Sequence, residues 1–373
     1  MSEQRSFDVV IVGGGVIGLA CAWRLAQRDA VVALVEKSPR LDGATRVAAG
    51  MLAPVGELAF GEPELLKMTL AAAELYPQFA AELEAASGRD TGYTECGALH
   101  VALDRDEAAE LRRVHELQRS LGLGAEWLPP RRCRDLEPGL APSLNGGVHA
   151  PGEAAVDPRA LAGALAEAAC AAGVETEWGR AVEDGLFEGR RLVGVRIAGG
   201  RELRAPTVIL ATGAWSGQAE WLPERARPPV RPVKGQILEL RARDGVAPCR
   251  RILASERVYL VPRPDGRLIV GATVEERGFD AMPTAGGVHE LLREAYRLLP
   301  EVAEMELVEA AAGLRPGTPD NLPRVEHAPL EGLVWATGHY RNGILLAPLA
   351  ANTVVDLVVD GEPSEPHAAE AAR

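Results

Sequence analysis

Apolar residues fill positions 7–12 (FDVVIV) almost without interruption, the pattern of a parallel strand buried on both faces. Helical spacing follows in GLACAWRLAQRD and a second apolar run in AVVALVEKS, so the chain opens as strand, tight turn, helix, strand. Residues 63–86 carry the apolar spacing of a long amphipathic helix, GALHVAL reads as a strand, and DEAAELRRVHELQRSLG returns to the helical period. In VDPRALAGALAEAACAAG, Asp157 is placed to cap a helix, Pro158 suits its first position, and Gly173 ends it before the strand VETEW. APTVILATGAWS (205–216) is a buried strand ending in a small-residue turn. GQILEL, VYLVPR and RLIVGAT are short alternating strands with a PDG turn at 264–266, an antiparallel signature. The last quarter returns to strand, turn and a long helix expected to start near Gly343, and the tail 362–373 is polar and expected to fray.

Between the first strand and helix, Gly13, Gly15 and Gly18 form G-x-G-x-x-G. The first glycine permits the sharp turn, the second lets a pyrophosphate approach the backbone, and the third allows close helix packing; the helix N-terminus then offers free N–H groups to phosphate. Glu36 ends the second strand at the distance where a carboxylate accepts hydrogen bonds from an adenosine ribose. The motif alone does not choose between NAD and FAD. The whole alternation predicts an α/β chain (α+β overall): a Rossmann-like domain from 1–88, 145–222 and 309–373, and a substrate domain on an antiparallel sheet from 89–144 and 223–308. A length of 373 residues, beyond one usual compact domain, fits two, with Pro-rich links such as 222–232 between regions.

Charge narrows the partner. Forty Lys+Arg against 53 Asp+Glu leave a formal charge of −13, which disfavours nucleic acid and anionic membrane surfaces. The five cysteines (Cys21, Cys96, Cys133, Cys170, Cys249) are scattered without a C-x-x-C pair, so neither a zinc site nor a disulfide framework is expected, and a reducing cytoplasm fits. The apolar opening lacks a cleavage site and runs into the glycine loop, so it does not read as a signal peptide, and no stretch has the length and lack of charge to span a membrane.

Seven segments together carry a resemblance: VVIVGGGVIGLACAWRLA, AAGMLAP (48–54), ATGAWS (211–216), RPVKGQ (231–236), YLVPRPDGRLIVGAT (259–273), GLRPGTPDNLP (313–323) and GHYRNGILLAP (338–348). They resemble the FAD-dependent amine oxidases of the D-amino-acid oxidase superfamily, and within it the glycine-oxidising branch tied to the thiazole of thiamine. The resemblance runs from about residue 7 to about 361, and the last two segments are the most specific. It implies oxidative deamination of glycine, with sarcosine or small D-amino acids, to glyoxylate, ammonia and H2O2, hydride passing from Cα to the flavin and O2 reoxidising it. The same chemistry without a tie to thiamine, as a D-amino-acid or sarcosine oxidase or dehydrogenase, is the alternative. A cytoplasmic homotetramer is the implied assembly.

The implied FAD contacts are Gly13, Gly15, Val16, Ile17, Gly18, Glu36 and Lys37; Ala44, Thr45, Ala49, Gly50 and Met51; Val182; Thr212, Gly213 and Trp215; and Gly338, His339, Tyr340, Arg341, Asn342, Gly343, Ile344 and Leu345. Arg315 is the implied ligand of the substrate carboxylate, which a guanidinium takes bidentately as a lysine does not. Arg341 lies between Gly338 and Gly343 before an apolar helix, where flavin and substrate meet. Tyr259 is implied beside the carboxylate, though a strand aromatic is equally ordinary core, and Met51 is either apolar filler or the cap of a short substrate pocket. No acid or base is needed if the substrate binds as the neutral amine. Arg257, Val258 and Val274 match none of these motifs, and Gly313 stands where monomeric sarcosine oxidases carry the flavin-linking cysteine, so FAD is expected to be non-covalent.

Overall fold

The computed structural model describes residues 6–360; the polar tail 362–373 lies outside them. In chain order, the elements that position the site begin with β1 (Val9–Val12), α1 (Val16–Ala26), β2 (Val32–Glu36), α2 (Pro63–Ser87) and β3 (Ala98–Val101). Next come α3 (Pro158–Ala171), β4 (Glu175–Trp178), β5 (Thr207–Leu210) and β6 (Arg231–Arg241). The series closes with β7 (Tyr259–Pro262), β8 (Arg267–Gly271), β9 (Glu306–Gly317), β10 (Leu333–Thr337) and α4 (Ala347–Val355).

β1 is the centre of a six-stranded sheet, with β2 and β5 parallel on its two sides (Val9 opposite Val32 and Thr207). β4 extends the sheet beyond β2, β10 extends it beyond β5, and residues 324–327 close that edge antiparallel. All four β1 residues are buried because both faces are covered. Val9 and Ile11 face a helical layer of α1, α2, α3 and α4, while Val10 and Val12 face a small antiparallel sheet carrying Leu192, Val195 and Leu203.

An eight-stranded sheet forms the second half, in the order β9, β6, β8, β7, residues 252–254, β3, residues 147–150 and residues 126–128. It is antiparallel except where residues 252–254 run parallel to β3. Residues 147–150 and 309–317 of β9, which the sequence reading set on the nucleotide side, belong to this sheet. β6 starts at Arg231, four residues before GQILEL, because its leading segment pairs with GLRPG of β9: Val233 faces Arg315 and Gly235 faces Gly313.

The last helix starts later than its sequence suggested. α4 begins at Ala347 with Pro348 in its first turn, and 339–346 is wound as tight turns, the Asn342 amide donating to His339 O at 2.9 Å and the Leu346 amide to Asn342 O at 2.8 Å. The expectation of a helix dipole starting at Gly343 is corrected by one turn.

Asp157 does cap α3, accepting from the Arg159 and Ala160 amides, and it also pairs with Arg267 Nη2 at 2.6 Å, tying the helical layer to β8. Burial works to raise its pKa, but the Arg267 hydrogen bond, the charges of Arg263 and Arg267 and the Ala160 amide together outweigh it and hold the carboxyl below its ordinary value. A depressed carboxylate contributes stability above its ordinary range and loses it as pH falls through the lowered value. Asp157→Ala is therefore expected to cost about 2–4 kcal/mol at neutral pH, cap and ion pair together. Urea unfolding of the FAD-loaded protein should show the gap to wild type narrowing below the usual carboxylate range; a gap independent of pH contradicts this.

Candidate active site

A cavity of about 910 Å3 opens beyond the C-terminal ends of β1 and β5 and continues to the face formed by β6, β7 and β9. It lies at the point where the chain leaves β1 for β2 on one side and reaches β5 on the other, the usual ligand crevice of such sheets.

At the nucleotide end, Gly13 has φ +115° and a Cβ there would run into Ala211 O. A Cβ on Gly18 would overlap Gly13 O, so α1 packs directly on the turn and Gly18 serves packing, not the cavity wall. The Val16 amide donates to Thr45 Oγ1 at 3.1 Å, which joins the 44–47 turn to the N-terminus of α1. Glu36 accepts from the Gly14 amide at 2.6 Å and the Ser38 amide at 2.8 Å, fixing its carboxylate across the glycine turn. Lys37 Nζ stands 4.1 Å from the ring centre of Trp215, and both line the cavity with Thr212, Gly213 and Val182. Arg180, Ser38 and Asp42 also line this end without having been picked out in the sequence. Arg180 follows β4 and its amide donates to Glu36 O, a pairing only the sheet order makes visible.

Midway, Gly50 at φ +75° brings its backbone against Val156, and Ala49 O accepts from Arg263 Nη2 at 2.5 Å. Arg263 is 4% exposed, so a buried cation braces the AAGML turn that carries Met51 to the wall. Ala44, Ala49, Tyr340, Gly343 and Ile344 line the same region. His339 is 2% exposed, burial pulls its pKa down to about 4, and its Nε2 has no hydrogen-bond partner among the described residues. A neutral imidazole with an unmet polar atom at a cavity wall is a group that a bound ligand can satisfy. Three further expected contacts do not reach the wall: Gly338 forms the turn against Thr318 at φ +79°, Asn342 is 4% exposed within the tight turns, and Leu345 is 1% exposed in the helical core.

At the far end, β9 presents Arg315, whose Nη1 donates to Thr273 O at 3.1 Å and Lys234 O at 3.4 Å. No carboxylate forms a salt bridge with it among the described residues. The Tyr259 hydroxyl, from β7, lies beside the Arg315 guanidinium. Burial raises the Tyr259 pKa, with Arg315 opposing, and the phenol stays protonated at neutral pH. Gly235 and Gly271 make the room: a Cβ on either would overlap the Arg315 guanidinium or the Tyr259 ring. Arg341 differs from Arg315, since its Nη2 is paired with Glu62 at 2.8 Å and donates to Glu57 O at 3.4 Å. Glu57, His100, Arg257, Val258 and Val274 line this end as well, none of them marked as a site residue by sequence.

The sequence profile of the family described as FAD dependent oxidoreductase (DAO) matches residues 8–357. The chain belongs to this family. A glycine oxidase from Geobacillus kaustophilus is 37% identical over 364 residues, covering 94% of this chain and 93% of the relative. The crystal structure of glycine oxidase from that organism superposes with a TM-score of 0.88 over 96% of this chain and 95% of the other. A bifunctional protein ThiO/ThiG from Nostoc sp. is 39% identical over 356 residues, covering 95% of this chain and 53% of the relative. The chain thus spans about half the length of the bifunctional relatives it matches.

FAD is the cofactor, and the residues present fit it: a glycine turn that tolerates no Cβ, a helix N-terminus at the cavity, and the unpartnered His339 Nε2 at its wall. A Cβ on Gly313 would overlap Val47 Cγ2, so the position that would carry a flavin linkage admits no side chain without displacing that valine. Acid precipitation of the yellow protein is expected to release all flavin into the supernatant; colour retained in the pellet contradicts the reading of Gly313.

Proposed function

We propose that this protein oxidises glycine, with sarcosine or small D-amino acids as further substrates, to glyoxylate, ammonia and H2O2, and that it supplies glycine imine for the thiazole of thiamine. The observation that carries this reading is Arg315: a guanidinium on the cavity wall, held by two backbone carbonyls beside a neutral phenol, and without a carboxylate of its own among the described residues. An α-carboxylate completes it in bidentate geometry. Relatives described as glycine oxidase and ThiO/ThiG support the substrate and the metabolic setting. The proposed setting is a cytoplasmic homotetramer, and no described helix is long and apolar enough to cross a membrane.

Bound FAD supplies the two-electron acceptor, regenerated by O2 with release of H2O2. The protein's part is placement. Arg315 and Tyr259 would hold the carboxylate, Arg341 would close the same end while braced by Glu62, and Met51 would limit side-chain length. A short pocket capped by a thioether favours glycine over larger amino acids.

Losing a desolvated charge pair costs roughly 2–5 kcal/mol, so Arg315→Ala should weaken glycine binding by at least about thirtyfold while FAD content stays near wild type. Arg315→Lys should recover part of the loss, keeping the charge without the fork. Anaerobic stopped flow, reading glycine Kd and the flavin reduction rate, checks both; wild-type affinity in Arg315→Ala overturns the assignment. Met51→Gly should raise kcat/KM for larger D-amino acids relative to glycine, and an unchanged ratio removes Met51 from the pocket wall.

A further inference from the structure

Arg315 is not the only charge the cavity leaves without a salt bridge. Glu57 follows the Met51 turn, with its amide donating to Ala53 O at 3.0 Å and its backbone carbonyl accepting from Arg341, so the main chain at this residue is fixed. Its half-buried side chain lines the cavity, and the carboxylate has no hydrogen bond or salt bridge among the described residues. It is nevertheless near the carboxylate end. Burial raises its pKa against the pull of Arg341 and Arg315, and its charge in turn raises the pKa of Tyr259. One cavity end therefore offers a guanidinium and a carboxylate that the protein does not pair with each other, the complement of an amino acid in its ordinary zwitterionic form.

We propose that Glu57 binds the substrate ammonium group and accepts its proton, so that Arg315 and Glu57 together select a zwitterion and deliver a neutral amine for oxidation. This rests on the functional reading above and deepens it. The balance is simple: an N–H bond of the ammonium breaks, its electron pair remains on nitrogen, and the proton becomes the O–H of the Glu57 carboxylic acid. That lone pair is what oxidation at Cα requires. The proton later returns to water through the cavity mouth.

The groups facing Glu57 are Arg315 from β9, Tyr259 from β7, Arg341 from the 340–342 turn, and Glu153 beneath the loop, whose carboxyl takes the Gly56 amide at 2.5 Å. Glu153 is driven up to about 8, mainly by burial, so a titration must separate it from Glu57. His100 also lines this part of the cavity, but burial holds it down to about 4 and it remains neutral in the working range.

Glycine and propanoate, which has the carboxylate without the ammonium, serve as probes on the FAD-loaded protein. In Glu57→Gln the glycine Kd at neutral pH should rise on the order of tenfold or more, whereas propanoate should bind as tightly or more tightly. The variant's flavin reduction rate should climb with pH and approach wild type where glycine is already a free amine. Equal losses for both ligands, or a reduction rate with the wild-type pH profile, overturn the proposal. If Glu57→Gln holds no FAD, the wild-type protein decides by itself: propanoate beside Arg315 should bind with uptake of one proton, measured in buffers of different ionisation enthalpy, and the uptake should persist in Glu153→Gln. Absence of uptake, or its loss in Glu153→Gln, overturns the proposal. Wild-type flavin that glycine does not reduce removes the functional reading and this proposal with it, whereas wild-type reduction with unchanged selectivity in Glu57→Gln removes only the role of Glu57.

Discussion

A guanidinium on a cavity wall, fixed among the described residues by neutral oxygens alone, sets the terms for the rest of this structure. Arg315 is pinned by the carbonyls of Thr273 and Lys234 and touched by the Tyr259 hydroxyl, and none of these neutralises it. Desolvating a cation without an anion is unfavourable, and an arriving carboxylate would recover that energy under the proposed function. The β9, β6 and β8 ladder exists in the register that leaves Arg315 room: Gly235 and Gly271 fall opposite or beside the Arg315 and Tyr259 side chains, where any Cβ would collide with them. A protein with a formal charge of −13 has acids in excess, yet Arg341, a second cation on the cavity wall, is given a carboxylate partner and Arg315 has none among the described residues.

The two ends of the cavity are built by different means. The nucleotide end is backbone against backbone, with Gly13 and Gly18 removing every atom that would separate the β1 turn from α1 and from β5. The substrate end is side chains projected from long strands of a different sheet. Between them the AAGML turn is braced by Arg263, a buried guanidinium whose target carbonyl lies 214 residues away in sequence. Joining the ends in this way fixes the wall of the FAD cavity relative to the Arg315 guanidinium, the kind of placement that a reaction limited by positioning requires.

Much of this was readable from the chain because it is local. The apolar run at 7–12, the three glycines, the Asp157 cap and the turn at 264–266 each follow from a few neighbouring residues. The start of α4 was misplaced because Gly343 and Ile344 satisfy a helical pattern while the actual hydrogen bonds close tight turns from His339 to Leu346. Arg341 was expected near the site and lines the cavity, but its pairing with Glu62 across 279 residues was not legible in the sequence, and that pairing is what distinguishes it from Arg315. Glu57 and Arg180 carry no local signature at all; only the meeting of separate elements places them on the wall.

The direct test is a crystal structure of the FAD-loaded protein with propanoate. The account predicts the ligand carboxylate within hydrogen-bond distance of both the Arg315 guanidinium and the Tyr259 hydroxyl, in the cavity end lined by Met51 and Glu57. A carboxylate bound instead to Arg341, with Arg315 still engaged only by the carbonyls of Lys234 and Thr273, would contradict it.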